Sequence, residues 1–176
     1  MLVGILIGFP LLLISVIIAY LSLPWLAIMI GMQLEPNPPK PNIRYGEFPV
    51  TLAYEINGQR KEIKDTLICE YDGIGADEGR GKFRKWKERL ASGNDIIILL
   101  KVNENKLIEF YPGSAEYYMG DGDIEKNDSL FPNAVHEEKE GSVISSGIIF
   151  EEELLQEYNI KLISWQPSQP IKNDFQ

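Results

Sequence analysis

The densest chemical potential in this chain is a basic run. Arg80, Lys82, Arg84, Lys85, Lys87 and Arg89 all fall between positions 80 and 89, in a chain whose formal net charge is −9. Ammonium and guanidinium groups at that density suit an anionic partner: lipid headgroups, a wall polymer or an acidic protein. The competing account is a solvated face balanced by Asp77, Glu78 and Glu88, since charge runs on exposed elements are ordinary. Asp121-Gly122-Asp123-Ile124-Glu125 begins like a calcium loop. It fails the EF-hand pattern at Lys126, where Gly is needed, and at Pro132, where a bidentate Glu is needed. The expectation is an acidic surface loop without metal.

Other reactive side chains are isolated. His136 is the single histidine, and it has no Cys neighbour to share a metal. Ser145 and Ser146 lack a G-x-S-x-G elbow. Cys69 is the single cysteine. It sits in an apolar stretch and reads as a core thiol, and with no second cysteine the fold must rest on its core. Gly73, Gly75, Gly79 and Gly81 match neither the P-loop nor the dinucleotide spacing. Tyr117 and Tyr118, after Pro112-Gly113-Ser114, would form a recognition loop if exposed or anchor that loop if buried. No cofactor is expected, and a catalytic role is disfavoured.

The elements that must carry these residues follow from periodicity. Phe48, Val50, Leu52, Tyr54 and Ile56 alternate with polar or small residues, which is a half-buried strand. Asn57-Gly58 then signals a two-residue hairpin. Pairing Ile56 with Gln59 sets Leu52 opposite Ile63 and Phe48 opposite Leu67, apolar against apolar. A return strand from Gln59 to about Tyr71 is expected, then a Gly-rich turn at Asp72–Gly75. The basic run is expected to form a short helix from about Gly81 to Leu90, because Phe83, Trp86 and Leu90 make one apolar stripe at helical spacing.

Ile96 to Leu100 reads as a central strand covered on both faces, and Leu107 to Tyr111 returns from it. Pro112 to Gly141 reads as loop with short pieces. Val143 to Ile149 is a strand, and Glu151 to Tyr158 a short helix with acids in its first turn. Ile160 to Trp165 is the last strand. The fold class is α+β: an N-terminal transmembrane helix, then a mainly antiparallel sheet domain with two short helices.

Residues 1–34 contain no Asp, Glu, Lys, Arg or His and are mostly Leu, Ile and Val. A bilayer core of about 30 Å needs roughly 20 apolar residues. Leu2 to Leu23 could span alone, with Pro10 and Pro24 as weak points, and Trp25 suits an interface. The apolar core is too long for a cleaved signal peptide and no A-x-A-like site follows it, so it is expected to remain as an anchor. Gly4 and Gly8 have the small-xxx-small spacing of helix dimers, but glycine is common in such helices and dimerisation is not the expectation. Residues 35–46 form a proline-rich spacer, and residues 47–176 a soluble α+β domain. Its negative charge argues against nucleic acid as a partner.

Lys40 and Arg44 follow the span and no cation precedes it, which by itself favours a cytoplasmic domain. Long domains translocate largely regardless of such charge. An anchor, a Pro-rich spacer and a compact domain together suit the outside of a cell, so the expectation is a single-pass cell-membrane protein with an extracellular domain.

Three stretches carry a likeness: Pro36-Asn37-Pro38-Pro39-Lys40-Pro41 through Tyr45-Gly46-Glu47-Phe48-Pro49, Asp77-Glu78-Gly79-Arg80-Gly81-Lys82-Phe83-Arg84-Lys85-Trp86-Lys87, and Pro112-Gly113-Ser114-Ala115-Glu116-Tyr117-Tyr118-Met119-Gly120-Asp121. With these the chain resembles, over most of its length, uncharacterised single-span membrane-anchored proteins of Gram-positive bacteria such as clostridia. The resemblance implies a bacterial surface protein and carries no activity. The expected function is therefore a non-catalytic binding or adaptor domain at the cell envelope. The alternatives are an envelope-associated hydrolase with an acidic site around Asp121 and Asp123, and a subunit of a larger membrane complex.

Overall fold

The computed structural model describes the backbone of residues 2–121 and 129–176, and side chains for residues 13–121 and 129–176. The chain divides into two units: Met1–Pro38 with Gly73–Lys85, and Pro39–Asp72 with Trp86–Gln176.

In the smaller unit, α1 runs without interruption over Leu2–Leu34. Pro10 and Pro24 do not end it: each removes one backbone donor, and the neighbouring helical bonds carry the chain through. Within it, Leu13–Leu34 is long and apolar enough to cross a membrane, and no part of this stretch is buried by the rest of the protein. Gly4 and Gly8 lie outside the described side chains.

The larger unit is built from β1 (Tyr45–Ile56), β2 (Gln59–Asp77), β3 (Gly81–Leu90), β4 (Ile97–Lys101), β5 (Lys106–Phe110), α2 (Ala115–Tyr118), β6 (Ala134–Glu140), β7 (Val143–Ile149), α3 (Glu151–Tyr158) and β8 (Ile160–Gln166); the adjoining ends of β2 and β3 belong to the smaller unit. The strands form two four-stranded sheets, in the orders β3-β2-β1-β8 and β4-β5-β6-β7. The β1–β2 register is the expected one, with Ile56 opposite Gln59, Leu52 opposite Ile63 and Phe48 opposite Leu67. Asn57 and Gly58 take φ of 53° and 74°, the left-handed pair a type I′ turn requires. Phe48, Val50, Leu52, Tyr54 and Ile56 all enter the core, with Leu67 and Cys69 from β2, Ile108 and Phe110 from β5, Leu154 from α3 and Ile160 and Leu162 from β8.

Four expectations require correction. Gly81–Leu90 is a strand, not a helix. From Lys85 onward it alternates: Lys85, Lys87 and Arg89 are exposed, while Trp86 and Glu88 are half-buried and Leu90 is buried. Pairing with β2 gives the backbone hydrogen-bond partners that a ten-residue helix with one narrow stripe would have to find alone. Gly73 and Gly75 make no turn, because β2 continues to Asp77 and the chain reverses over residues 78–80. Ile97–Lys101 is an edge strand covered on one face: Ile97 and Leu99 are buried while Ile98 is exposed. Ala134–Glu140, expected as loop, is a strand between β5 and β7. Two paired neighbours satisfy its backbone, so its charged sequence does not need an alternating apolar face.

The proline-rich stretch is shorter as a spacer than expected. The Lys40 and Gln176 backbones exchange two hydrogen bonds, at 2.9 and 3.1 Å, and Asn42 N–H donates to the Asp174 carbonyl at 3.0 Å. Pro41 is fully buried. The chain's last residues thus hold positions 40–42 within the larger unit.

Candidate functional site

The basic residues divide between the two units. In the smaller one, Asp77 organises the turn: its Oδ1 accepts from the N–H groups of Gly79 and Arg80, and its Oδ2 from Arg80 Nε at 2.9 Å. These bonds hold the Asp77 carboxyl below its usual range. The Arg80 guanidinium lies 3.9 Å from the centre of the Phe83 ring. Lys82 is committed to the end of α1, where its Nζ donates to the carbonyls of Gln33 and Glu35 at 3.2 and 2.6 Å. A cation there meets carbonyls that the helix leaves unpaired.

In the larger unit, Arg89 approaches Glu70 at 3.6 Å across an exposed surface. Lys64 and Glu62 pair at 2.9 Å, and the Tyr45 hydroxyl donates to Glu47. Lys87 and Arg89 therefore belong to a face of mixed charge, where single exposed pairs contribute little to stability.

The covered side of β3 is where polar atoms converge. Glu88 Oε1 accepts from the Tyr111 hydroxyl at 3.0 Å, and Oε2 accepts from the Ala115 N–H at 2.5 Å, at the start of α2. Burial raises the Glu88 carboxyl above its ordinary range despite both bonds. Trp86 Nε1 donates to Asp121 Oδ2 at 2.6 Å, and its ring meets Tyr71 edge-on at 5.5 Å. Two side chains of one strand thus grip residues 111–121 at both ends. Ser114 caps α2 by accepting from the Tyr117 N–H.

This arrangement decides the role of the tyrosines. Tyr117 and Tyr118 are buried, and their rings meet edge-on at 5.1 Å. Tyr118 also packs on Phe48 at 5.0 Å, and its hydroxyl donates to the Pro112 carbonyl at 2.8 Å. They anchor the loop from within, so the expectation of a recognition loop presenting Tyr117 and Tyr118 is corrected: a partner could reach these rings only by opening the core.

Cys69 is fully buried, and desolvation, helped by Glu88, pushes its thiol up to about 12. It is a core residue, as its apolar surroundings in the sequence indicated. Asp121 is engaged by Trp86, and Asp123, Ile124 and Glu125 lie outside the described residues. The His136 ring lies against Gly147 in the neighbouring strand. Among the described residues no group of three or more His, Cys, Asp or Glu is placed to hold a metal.

Sequence reasoning missed Glu88 as a structural residue and counted it among the balancing acids. The alternation of Lys85, Lys87 and Arg89 with Trp86, Glu88 and Leu90 is a period-2 signal, concealed because a buried carboxylate reads as polar. It also missed Glu109, a buried carboxylate on β5 whose Oε2 has no partner among the described residues. Burial, and then Glu137, raises the Glu109 carboxyl.

No known protein family, curated protein or solved structure matches the chain.

Proposed function

We propose that this chain is a membrane-tethered, non-catalytic binding or adaptor module at the cell envelope, with α1 as its anchor. The observation that carries this reading is the uncovered helix. Val16, Ile18, Leu21, Leu23 and Leu34 stand at 59%, 61%, 62%, 59% and 80% exposure. A water-soluble protein rarely leaves so long an apolar surface open, whereas lipid chains cover it at no cost. The test is co-flotation of the full chain with lipid vesicles, with mass measurement of the mature protein from cells. Retention of residues 1–34 and resistance to carbonate extraction is the expected result. A mature chain lacking them would make the segment a signal sequence and overturn the anchor.

The alternative of a subunit in a larger membrane complex draws on β7. It is an edge strand, and Val143, Ile144 and Ile148 on it and Phe150 just after it are exposed at 65%, 60%, 51% and 63%. Unpaired edges with apolar side chains suit a protein partner. Replacing Ile144 and Ile148 by Lys should then dissociate the complex without displacing the chain from the membrane.

A further inference from the structure

In the smaller unit the tip of the β2–β3 hairpin is tied to the end of α1. Lys82 N–H donates to Glu35 Oε2 at 3.0 Å, while its Nζ binds the Gln33 and Glu35 carbonyls. Gly81, at φ +69°, lies so close that a Cβ there would strike the Glu35 carboxylate. The tip is itself braced, by Asp77 across the turn and by the Phe83 ring, which occupies the space a Cβ on Gly75 would need.

The exposed apolar surface of α1 continues to Leu34. At 1.5 Å per residue, the 33 residues of α1 reach about 50 Å, longer than a bilayer core of about 30 Å, so the helix can tilt to keep its apolar surface in lipid up to Glu35, the first charged side chain of the chain. Leu34 then marks the edge of the hydrocarbon, and Gln33–Glu35, with the hairpin tip bound to them, fall at the headgroups. Residues 73–85 carry Arg80, Lys82, Arg84 and Lys85 against Asp77 and Glu78, a net positive segment in a chain of net charge −9.

Resting on the anchor reading, we propose that the hairpin tip Gly73–Lys85 is a lipid-contacting element, which lies on the headgroup layer and recognises anionic lipid through Arg80, Arg84 and Lys85. Lys82 positions the tip and is not counted among the contacts. The guanidinium of Arg80 over Phe83 presents an apolar body with a cationic cover, the form suited to an interface. The helix end brings the tip within reach of the headgroups, which favours a lipid surface over a soluble acidic protein, and anionic lipid then draws the tip into closer contact.

The test uses the full chain with Gly79→Cys carrying an environment-sensitive fluorophore. Position 79 has no positive φ, and a new Cβ would have only Asp77 Oδ1 nearby, at 3.6 Å. Cys69 is buried and does not compete for label. The chain is bound to vesicles of phosphatidylcholine, with or without phosphatidylglycerol, that contain a headgroup-nitroxide lipid. The expected result is quenching at least about twofold greater in the anionic vesicles, with the increment lost at high salt and in Arg80→Gln/Arg84→Gln/Lys85→Gln. Lys85→Glu alone, at an exposed position, should remove part of it. Flotation without quenching, or equal quenching in both vesicles, overturns the lipid-contact proposal while leaving the anchor standing. Failure to float overturns the anchor reading, and this proposal with it.

Discussion

Replacing Glu88 tests the clasp between β3 and residues 111–121 most directly. In Glu88→Ala both acceptors vanish, stranding the N–H of Ala115, a residue 1% exposed, and removing the bond from the Tyr111 hydroxyl. Hydrogen bonds to a charged acceptor contribute about 1.5–3 kcal/mol each. The cost of burying the carboxylate opposes them, and it is large enough to raise its pKa. The expected net loss is about 2–3 kcal/mol, which for a chain of this size lowers Tm by roughly 4–12 °C. Glu88→Gln behaves differently. Its amide oxygen can accept from Ala115 N–H while its NH2 donates to the Tyr111 oxygen, so both bonds survive and the loss stays below about 1 kcal/mol.

The pH dependence has a defined sign. The folded-state pKa of Glu88 lies above its ordinary 4.5, so the native state holds this proton more tightly than the unfolded chain does. That contribution to stability is fully present below 4.5 and is lost as pH rises through the raised folded value. The stability of Glu88→Gln relative to the native protein should therefore increase with pH across that window and then level off. Urea unfolding of the full chain in detergent, followed by far-UV circular dichroism between pH 4 and pH 8, reads both effects. A Glu88→Ala loss below about 1 kcal/mol, or a Gln variant as damaged as the Ala variant, would refute the clasp.

Cys69 should resist alkylation in the folded chain at pH 8 and react on unfolding. A thiol pushed up to about 12 holds over a thousandfold less thiolate than an ordinary one near 8.5, measurable by mass spectrometry. Leu52→Ala removes a fully buried side chain from the centre of β1 and should cost about 2–5 kcal/mol in the same urea experiment. Gly58→Val forces a β-branched residue into φ +74° and should destabilise the β1–β2 hairpin by at least about 1 kcal/mol, whereas Gly79→Ala, with no positive φ, should cost less.

Local chemistry made part of this protein legible from sequence. Thirty-four residues without Asp, Glu, Lys, Arg or His specify an apolar helix, because length and hydropathy are properties of a segment alone. Asn57-Gly58 specified both the turn and the register of β1 against β2, because a two-residue loop leaves one pairing and alternation tests it at once. Glu151–Tyr158 carries its acids in the first turn and Asn159 in the left-handed conformation at its end, both local preferences.

Tertiary structure decided the rest. Phe83, Trp86 and Leu90 fit a helical stripe, while Lys85 to Leu90 fit strand alternation equally well; the available edge of β2 settled the choice. Ala134–Glu140 became a strand because β5 and β7 flank it, with Lys106 and Glu138 meeting at 3.4 Å across the β5–β6 pair. Whether Tyr117 and Tyr118 faced water or core depended on Glu88 and Trp86, more than twenty positions away in sequence, drawing their loop inward. Spacing along a chain can set a residue's periodicity, but burial depends on which other segment arrives to cover it.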